Sequence, residues 1–214
     1  MRHIPSSDTQ HTRVLTFEDA LRPTNEDYDR GAWLYVPDHY SEYRYILGTR
    51  GRRPLICIGV NPSTAVPGRL DNTLKSAERI ALFNGYDSFI MFNVYAQRAT
   101  IPEDMDRELN PFLHEENMKA FRYVLEQAGE APAVWAAWGA VIEKRAYLPR
   151  CVRDMVLLGE EFSARWYTAG PRSRAGHPHH PLYLKKDSPL EPFADLEGYL
   201  RSLECGRPAG RNGL

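Results

Sequence analysis

The stretch LICIGVNPSTAVPGRLDNTLKSAERIALFNGYDSFIMFNV, residues 55–94, decides the fold. Residues 55–60 are apolar on both faces, as a central parallel strand covered on both sides must be. Residues 61–70 are dense in turn formers and continue neither a strand nor a helix. Asp71, Asn72 and Thr73 then offer N-caps to a helix whose apolar Leu74, Ala77, Ile80 and Ala81 share one face, with Gly85 placed to end it. A second apolar strand, residues 88–94, follows at once. In one sheet, such a strand, loop, helix and strand run parallel through a right-handed crossover.

The pattern repeats outward from this unit. Met118, Phe121, Leu125 and Ala128 recur at helical spacing across residues 115–128, which stop at Gly129, and residues 133–138 read as a third apolar strand ending at Gly139. A helix over about 141–158, a fourth strand at 165–168 and a closing helix over about 190–203, with Phe193, Leu196 and Leu200 inward, complete the domain. On the N-terminal side, residues 13–17, 33–36 and 43–47 read as short peripheral strands, and GTRGRRP at 48–54 as a basic turn. The expectation is an α/β fold, a single-domain α/β/α sandwich with a central, mostly parallel sheet. Residues 1–12 are expected to be a flexible segment, 13–204 the domain and 205–214 a tail.

A chain of 214 residues suits one domain with a sizeable core. Its 27 basic and 28 acidic residues leave a net charge of −1, which excludes a protein coating nucleic acid through bulk charge alone. No apolar run reaches membrane-span length, and MRHIPSSDTQHTR lacks the apolar centre of a secretory signal. Cys57, Cys151 and Cys205 are far apart with no C-x-x-C pairing, which argues against a disulfide framework, a zinc ribbon or a four-cysteine cluster. A cytoplasmic protein with no membrane contact, no metal and no cofactor is expected.

Ligands of parallel α/β sheets bind beyond the carboxyl ends of the strands. Three polar signals stand there: Asn61-Pro62-Ser63 after the first strand, Asn93 near the end of the second, and the loop GHPHHPLYLKK after the fourth. Asn61 is either a turn asparagine bonding its own backbone or a group projecting into the crevice. Asn93 interrupts the apolar run FIMFNVY, so its amide needs partners from the backbone or from a ligand, and an amide can pair bidentately with a nucleobase edge. The loop holds three of the seven histidines within four positions. They are incidental to a proline-fixed turn, or ligands of a metal, or stabilisers of negative charge on a leaving group; alternation with proline limits chelation. Arg53, Arg69, Arg174, Lys185 and Lys186 lie in neighbouring segments, either as a solvated surface or as contacts to phosphate.

YRYIL at 43–47, GVNPSTA at 59–65, DNT at 71–73, GYDSFIMFNVYAQRAT at 85–100, AAWGA at 136–140 and GHPHHPLYL at 176–184 together closely resemble domain of unknown function 1643, over roughly residues 43–200. More distantly, the order GVNPS, IMFN, VWAAWG and HPHHPL is similar to that of the uracil-DNA glycosylase superfamily. In that superfamily a G-x-(D/N)-P motif, an asparagine ending an apolar strand, a strand running into W-G and an HPSPL-type loop surround the pocket. The resemblance implies that fold and an N-glycosylase cleaving a base–sugar bond in DNA or a nucleotide; the alternative is a non-catalytic nucleic-acid or nucleotide-binding module of the same fold.

Carried over residue by residue, the resemblance implies that Asn61 positions the attacking water and Asn93 reads the base edge, with Ser63 beside it. A loop histidine, His180 or in another alignment His177, stabilises the departing base, and Leu182 stands where relatives insert a wedge into the duplex. Two departures stand out. Asn61 replaces the aspartate of the fastest members and cannot take a proton, and RLDNT at 69–73 stands where a stacking phenylalanine is expected. Asp71 is there either a helix cap or a pocket residue.

Overall fold

Among the described residues, seven strands, β1 (Trp33–Val36), β2 (Ile46–Thr49), β3 (Pro54–Gly59), β4 (Ser88–Asn93), β5 (Ala133–Ala136), β6 (Arg165–Ala169) and β7 (Leu190–Pro192), form one sheet in the order β1-β2-β4-β3-β5-β6-β7. The computed structural model describes residues 2–25 and 27–205. β3 lies at the centre because it has no side chain that needs water: all six of its residues are buried. It pairs in parallel with β4, Gly59 opposite Asn93, and with β5, which pairs in parallel with β6. β1 on β2, β2 on β4 and β7 on β6 are antiparallel. The expected parallel sheet is thus the centre of a mixed one.

Five α-helices among the described residues cover the sheet unequally. α1 (Phe17–Ala20), α3 (Pro111–Ala128), α4 (Leu148–Glu161) and α5 (Leu196–Glu204) pack on one face, against Ile56, Ile58, Ile90 and Phe92. Only α2 (Asn72–Phe83) covers the other, setting Leu74, Ala77, Ile80 and Ala81 on Leu55, Cys57, Phe89 and Met91. This alternation along β3 and β4 is the two-residue period of a strand. The connection after β3 leaves for the α2 face, while those after β4 and β5 leave for the other face. The backbone therefore parts at the carboxyl end of β3, which opens a crevice there.

Four local readings change. Residues 13–17 form no strand: the Thr16 hydroxyl accepts the Asp19 N–H at 3.1 Å and starts α1 at Phe17. The strand expected at 43–47 begins three residues later, because Arg44 and Tyr45 bond instead to Ala96 and Val36 carbonyls. The helix expected over 141–158 is a 3₁₀ turn, Gly139–Glu143, and then α4. The closing helix is shorter, because residues 190–192 add β7 to the sheet edge and Asp195, at φ 54°, caps α5.

In the segment 2–12, Thr9 donates its N–H to Asp106 Oδ1 at 3.1 Å, and His3 donates its N–H to Thr100 Oγ1 at 2.8 Å while its carbonyl accepts the Thr100 N–H at 3.1 Å. The expected tail at 205–214 lies outside the described residues beyond Cys205. No helix among the described residues is long and apolar enough to cross a membrane.

Candidate functional site

A cavity of about 800 Å³ fills the crevice, within the range of small-molecule sites. The loop after β3, the end of β4, the Trp138-Gly139 turn after β5, the loop after β6 and the first turn of α2 form its wall. Of the residues singled out in the sequence, it brings together Asn61, Ser63, Asp71, Asn93, His180 and Leu182.

Asn93 is 1% exposed, yet neither its Oδ1 nor its Nδ2 has a hydrogen-bond partner among the described residues. Leaving a buried amide unpaired costs about 1–3 kcal/mol for each group, so such groups are rare. The residue is held from behind: Asn117 of α3 donates Nδ2 to the Asn93 carbonyl at 3.0 Å and to the Val94 carbonyl at 3.3 Å. Its register neighbour Gly59 leaves it room. A Cβ there would lie 2.6 Å from Met91 Cε and 3.2 Å from Asn93 Oδ1.

Asn61 has the opposite character. Its Nδ2 donates to the Ala99 carbonyl at 2.7 Å and to the Pro62 carbonyl at 3.1 Å, which fixes the amide plane. Its Oδ1 accepts no hydrogen bond among the described residues, so the acceptor is the end left for a ligand or water. Ser63 Oγ lies 3.2 Å from Thr100 Oγ1 on the same wall.

The loop histidines separate. His180 lines the cavity, and its Nδ1 accepts the Leu182 N–H at 3.3 Å. Burial lowers its pKa below 6.5, so the ring is neutral near pH 7 and carries its proton on Nε2, a donor. His177 does not line the cavity. It is 2% exposed, with Nδ1 3.1 Å from Tyr199 Oη and Nε2 3.2 Å from Glu143 Oε1, and Tyr199 accepts the Trp138 Nε1–H at 2.8 Å. That chain ties the loop to α5, an anchoring role. Leu182, 46% exposed, and Tyr183, 79% exposed, stand at the rim on a 3₁₀ turn.

The expected phosphate contacts do not reach the cavity. Arg53 precedes β3, at the far end of the strand from Asn61, where its guanidinium lies 5.9 Å from the Tyr86 ring. Arg69, Arg174, Lys185 and Lys186 are exposed on neighbouring loops and do not line it. Asp71 caps α2, its Oδ1 accepting the Leu74 N–H at 3.0 Å, and also lines the cavity, so both of its readings hold in position. No group of three or more His, Cys, Asp or Glu among the described residues is placed to hold a metal ion.

Sequence reading passed over Arg44 and Arg98. Arg44 lines the cavity at 1% exposure, and Arg98 is fully buried. Neither forms a salt bridge among the described residues. Arg98 is bonded to the Ser63 and Ala65 carbonyls and to Tyr35 Oη, and lies 4.3 Å from the Tyr40 ring centroid. Arg44 donates only Nη1, to the Ala65 carbonyl at 3.1 Å. Burial, then the Arg98 charge, pushes its guanidinium down to about 9. A charged residue inside the apolar run YRYIL was the signal that could have found it.

Fold and site together define an α/β domain with a preformed cavity at the carboxyl ends of parallel strands, lined by amide and guanidinium groups that have no partner among the described residues. The chain belongs to the family described as "Protein of unknown function (DUF1643)", whose model matches residues 44–182. That span contains every cavity-lining residue named here except Tyr183. No curated protein and no solved structure matches the chain.

Proposed function

We propose that the cavity takes a nucleobase still joined to its sugar and that the protein hydrolyses the N-glycosidic bond between them. The observation that carries this reading is the Asn93 amide, buried and unpaired in both its donor and its acceptor. That pair matches the complementary acceptor and donor side by side on a base edge. The order of motifs shared with the uracil-DNA glycosylase superfamily supports the same reading.

Each remaining group has a task in such a cleavage. As the C1′–N bond breaks, its electron pair leaves with the base and positive charge grows on the sugar. Asn61 Oδ1 accepts a hydrogen bond from a water and so aims the water's oxygen at C1′. Because an amide takes no proton, the reaction depends on orientation and on a dissociative transition state, and the water's proton passes to solvent or to the departing base. The neutral His180 donates Nε2–H to the base oxygen on which charge collects. On a duplex, the base would have to leave the stack, with Leu182 entering behind it.

One observation favours a binding module instead. The first motif carries an amide, Asn61, and the carboxylate on the cavity wall, Asp71, has its Oδ1 engaged by the Leu74 N–H as the cap of α2. Excess protein incubated with uracil-containing and otherwise modified oligonucleotides, nucleosides and nucleotides decides between them. Free base released by wild type, and slowed about 100-fold or more in Asn61→Ala with ligand affinity kept, is the expected result. Tight binding without product across the panel would contradict hydrolysis.

A further inference from the structure

We propose that the cavity is built for a phosphorylated ligand, a nucleoside monophosphate whose terminal phosphate is gripped by Arg44 while Asn93 takes the base. The base half rests on the reading above; the phosphate half rests on Arg44 and the first turn of α2.

Arg44 is charged, 1% exposed and unpaired at both Nε and Nη2. These two nitrogens form one edge of the guanidinium plane, the fork that binds two oxygens of one phosphate or carboxylate. Nη1, on the other edge, is already spent on the Ala65 carbonyl and fixes the plane. A buried cation without a salt-bridged counter-ion is costly, and one hydrogen bond to the Ala65 carbonyl offsets only part of that cost. The Asp71 carboxylate is close enough to favour the charged form of Arg44 but forms no salt bridge with it. Arg98, buried outside the cavity wall, adds a second positive charge close to Arg44.

The first turn of α2 adds to this. Asn72 and Thr73 line the cavity beside Arg44, at the amino end of a 12-residue helix whose first N–H groups have no partner within the helix. Burial of Arg44 selects the kind of phosphate. An internal phosphodiester continues as chain on both sides and needs two ways out, whereas a monoester needs one. A free mononucleotide and the phosphorylated end of a strand share this chemistry.

Calorimetric titration of the full chain tests the assignment. The probes are deoxyuridine and the four common deoxynucleosides, each with and without a 5′-phosphate, ribose 5-phosphate, and a short oligonucleotide with and without a 5′-phosphate. For the base that fits, the monophosphate is expected to bind about 10- to 100-fold more tightly than the nucleoside. Arg44→Met is expected to erase that difference and leave nucleoside affinity unchanged, with Arg44→Lys between the two. Equal affinity of nucleoside and monophosphate for the wild type overturns the phosphate seat, leaves the base reading standing, and needs no variant to fold. Ribose 5-phosphate binding as tightly as every nucleotide supports the seat and overturns the base reading. A phosphorylated oligonucleotide that matches the mononucleotide assigns the site to strand ends, and one that fails to bind assigns it to free nucleotides. Equal binding of the oligonucleotide with and without its phosphate overturns the proposal.

Discussion

Asn93 pays for its position in stability. With both amide atoms buried and unpaired, replacing the side chain by a branched hydrocarbon of similar outline removes two unmet groups and adds apolar contact with Met91. Asn93→Leu is therefore expected to raise unfolding free energy by about 1–3 kcal/mol while abolishing base-dependent binding. Urea melts and a ligand titration on one preparation check both halves; a variant less stable than wild type would show that the amide serves the fold. His180 makes a prediction in pH. Burial holds its folded pKa below 6.5, so the unfolded chain binds that proton first and stability falls with acid. Its share is whole above the unfolded value and is lost as pH drops through the lower folded one. His180→Gln should flatten this part of the acid limb below about pH 7 in urea melts; an unchanged slope would contradict the assignment. Asn61 and Asn93 were legible as residues because turn chemistry and an amide in an apolar strand are local signals. Which amide is satisfied was not, since the partners come from Ala99 and Asn117, far along the chain.

Among the elements, two glycines in paired strands separate room for a ligand from room for the fold. At Gly59 a Cβ meets Met91 Cε, the free end of a flexible side chain, and Asn93 Oδ1. At Gly48 of β2 it lies 2.3 Å from the Phe89 carbonyl and 2.7 Å from Ile90 Cα, both backbone of the paired β4. Gly59→Ala should keep the fold at a cost of about 1–3 kcal/mol and lose ligand affinity, whereas Gly48→Ala should pry β2 from β4 and cost more. Thermal melts and titrations of the two variants check this, and the reverse ranking would contradict it. β3, α2 and β4 were readable because burial on both faces, a cap and an amphipathic helix are each written locally. α1 and β7 were not. The β-prone VLTF yields to the Thr16 cap, and the three residues of β7 carry no period of their own, since only pairing with β6 makes them a strand.

At the scale of the molecule, the cavity follows from unequal layers. Four helices close one face and a single helix the other, and the connections around β3 part in opposite directions, so the carboxyl ends stay open on the α2 side. Alternating strands and helices made this α/β layering readable. The mixed edges were less so, because antiparallel pairing at β1, β2 and β7 is decided by partners rather than by the strands' own residues. The cavity's cations show the same division. Exposed Arg53, Arg69, Arg174, Lys185 and Lys186 were conspicuous in loops but lie away from it, while Arg44 was concealed in an apolar run that packing turned inward. A crystal structure of the protein soaked with the nucleobase or nucleotide that binds best tests the central claim most directly. The account predicts one base edge with a donor and an acceptor each within about 3.2 Å of Asn93 Oδ1 and Nδ2, and the sugar facing Asn61. A ligand bound elsewhere, with Asn93 closed by ordered water, would contradict it.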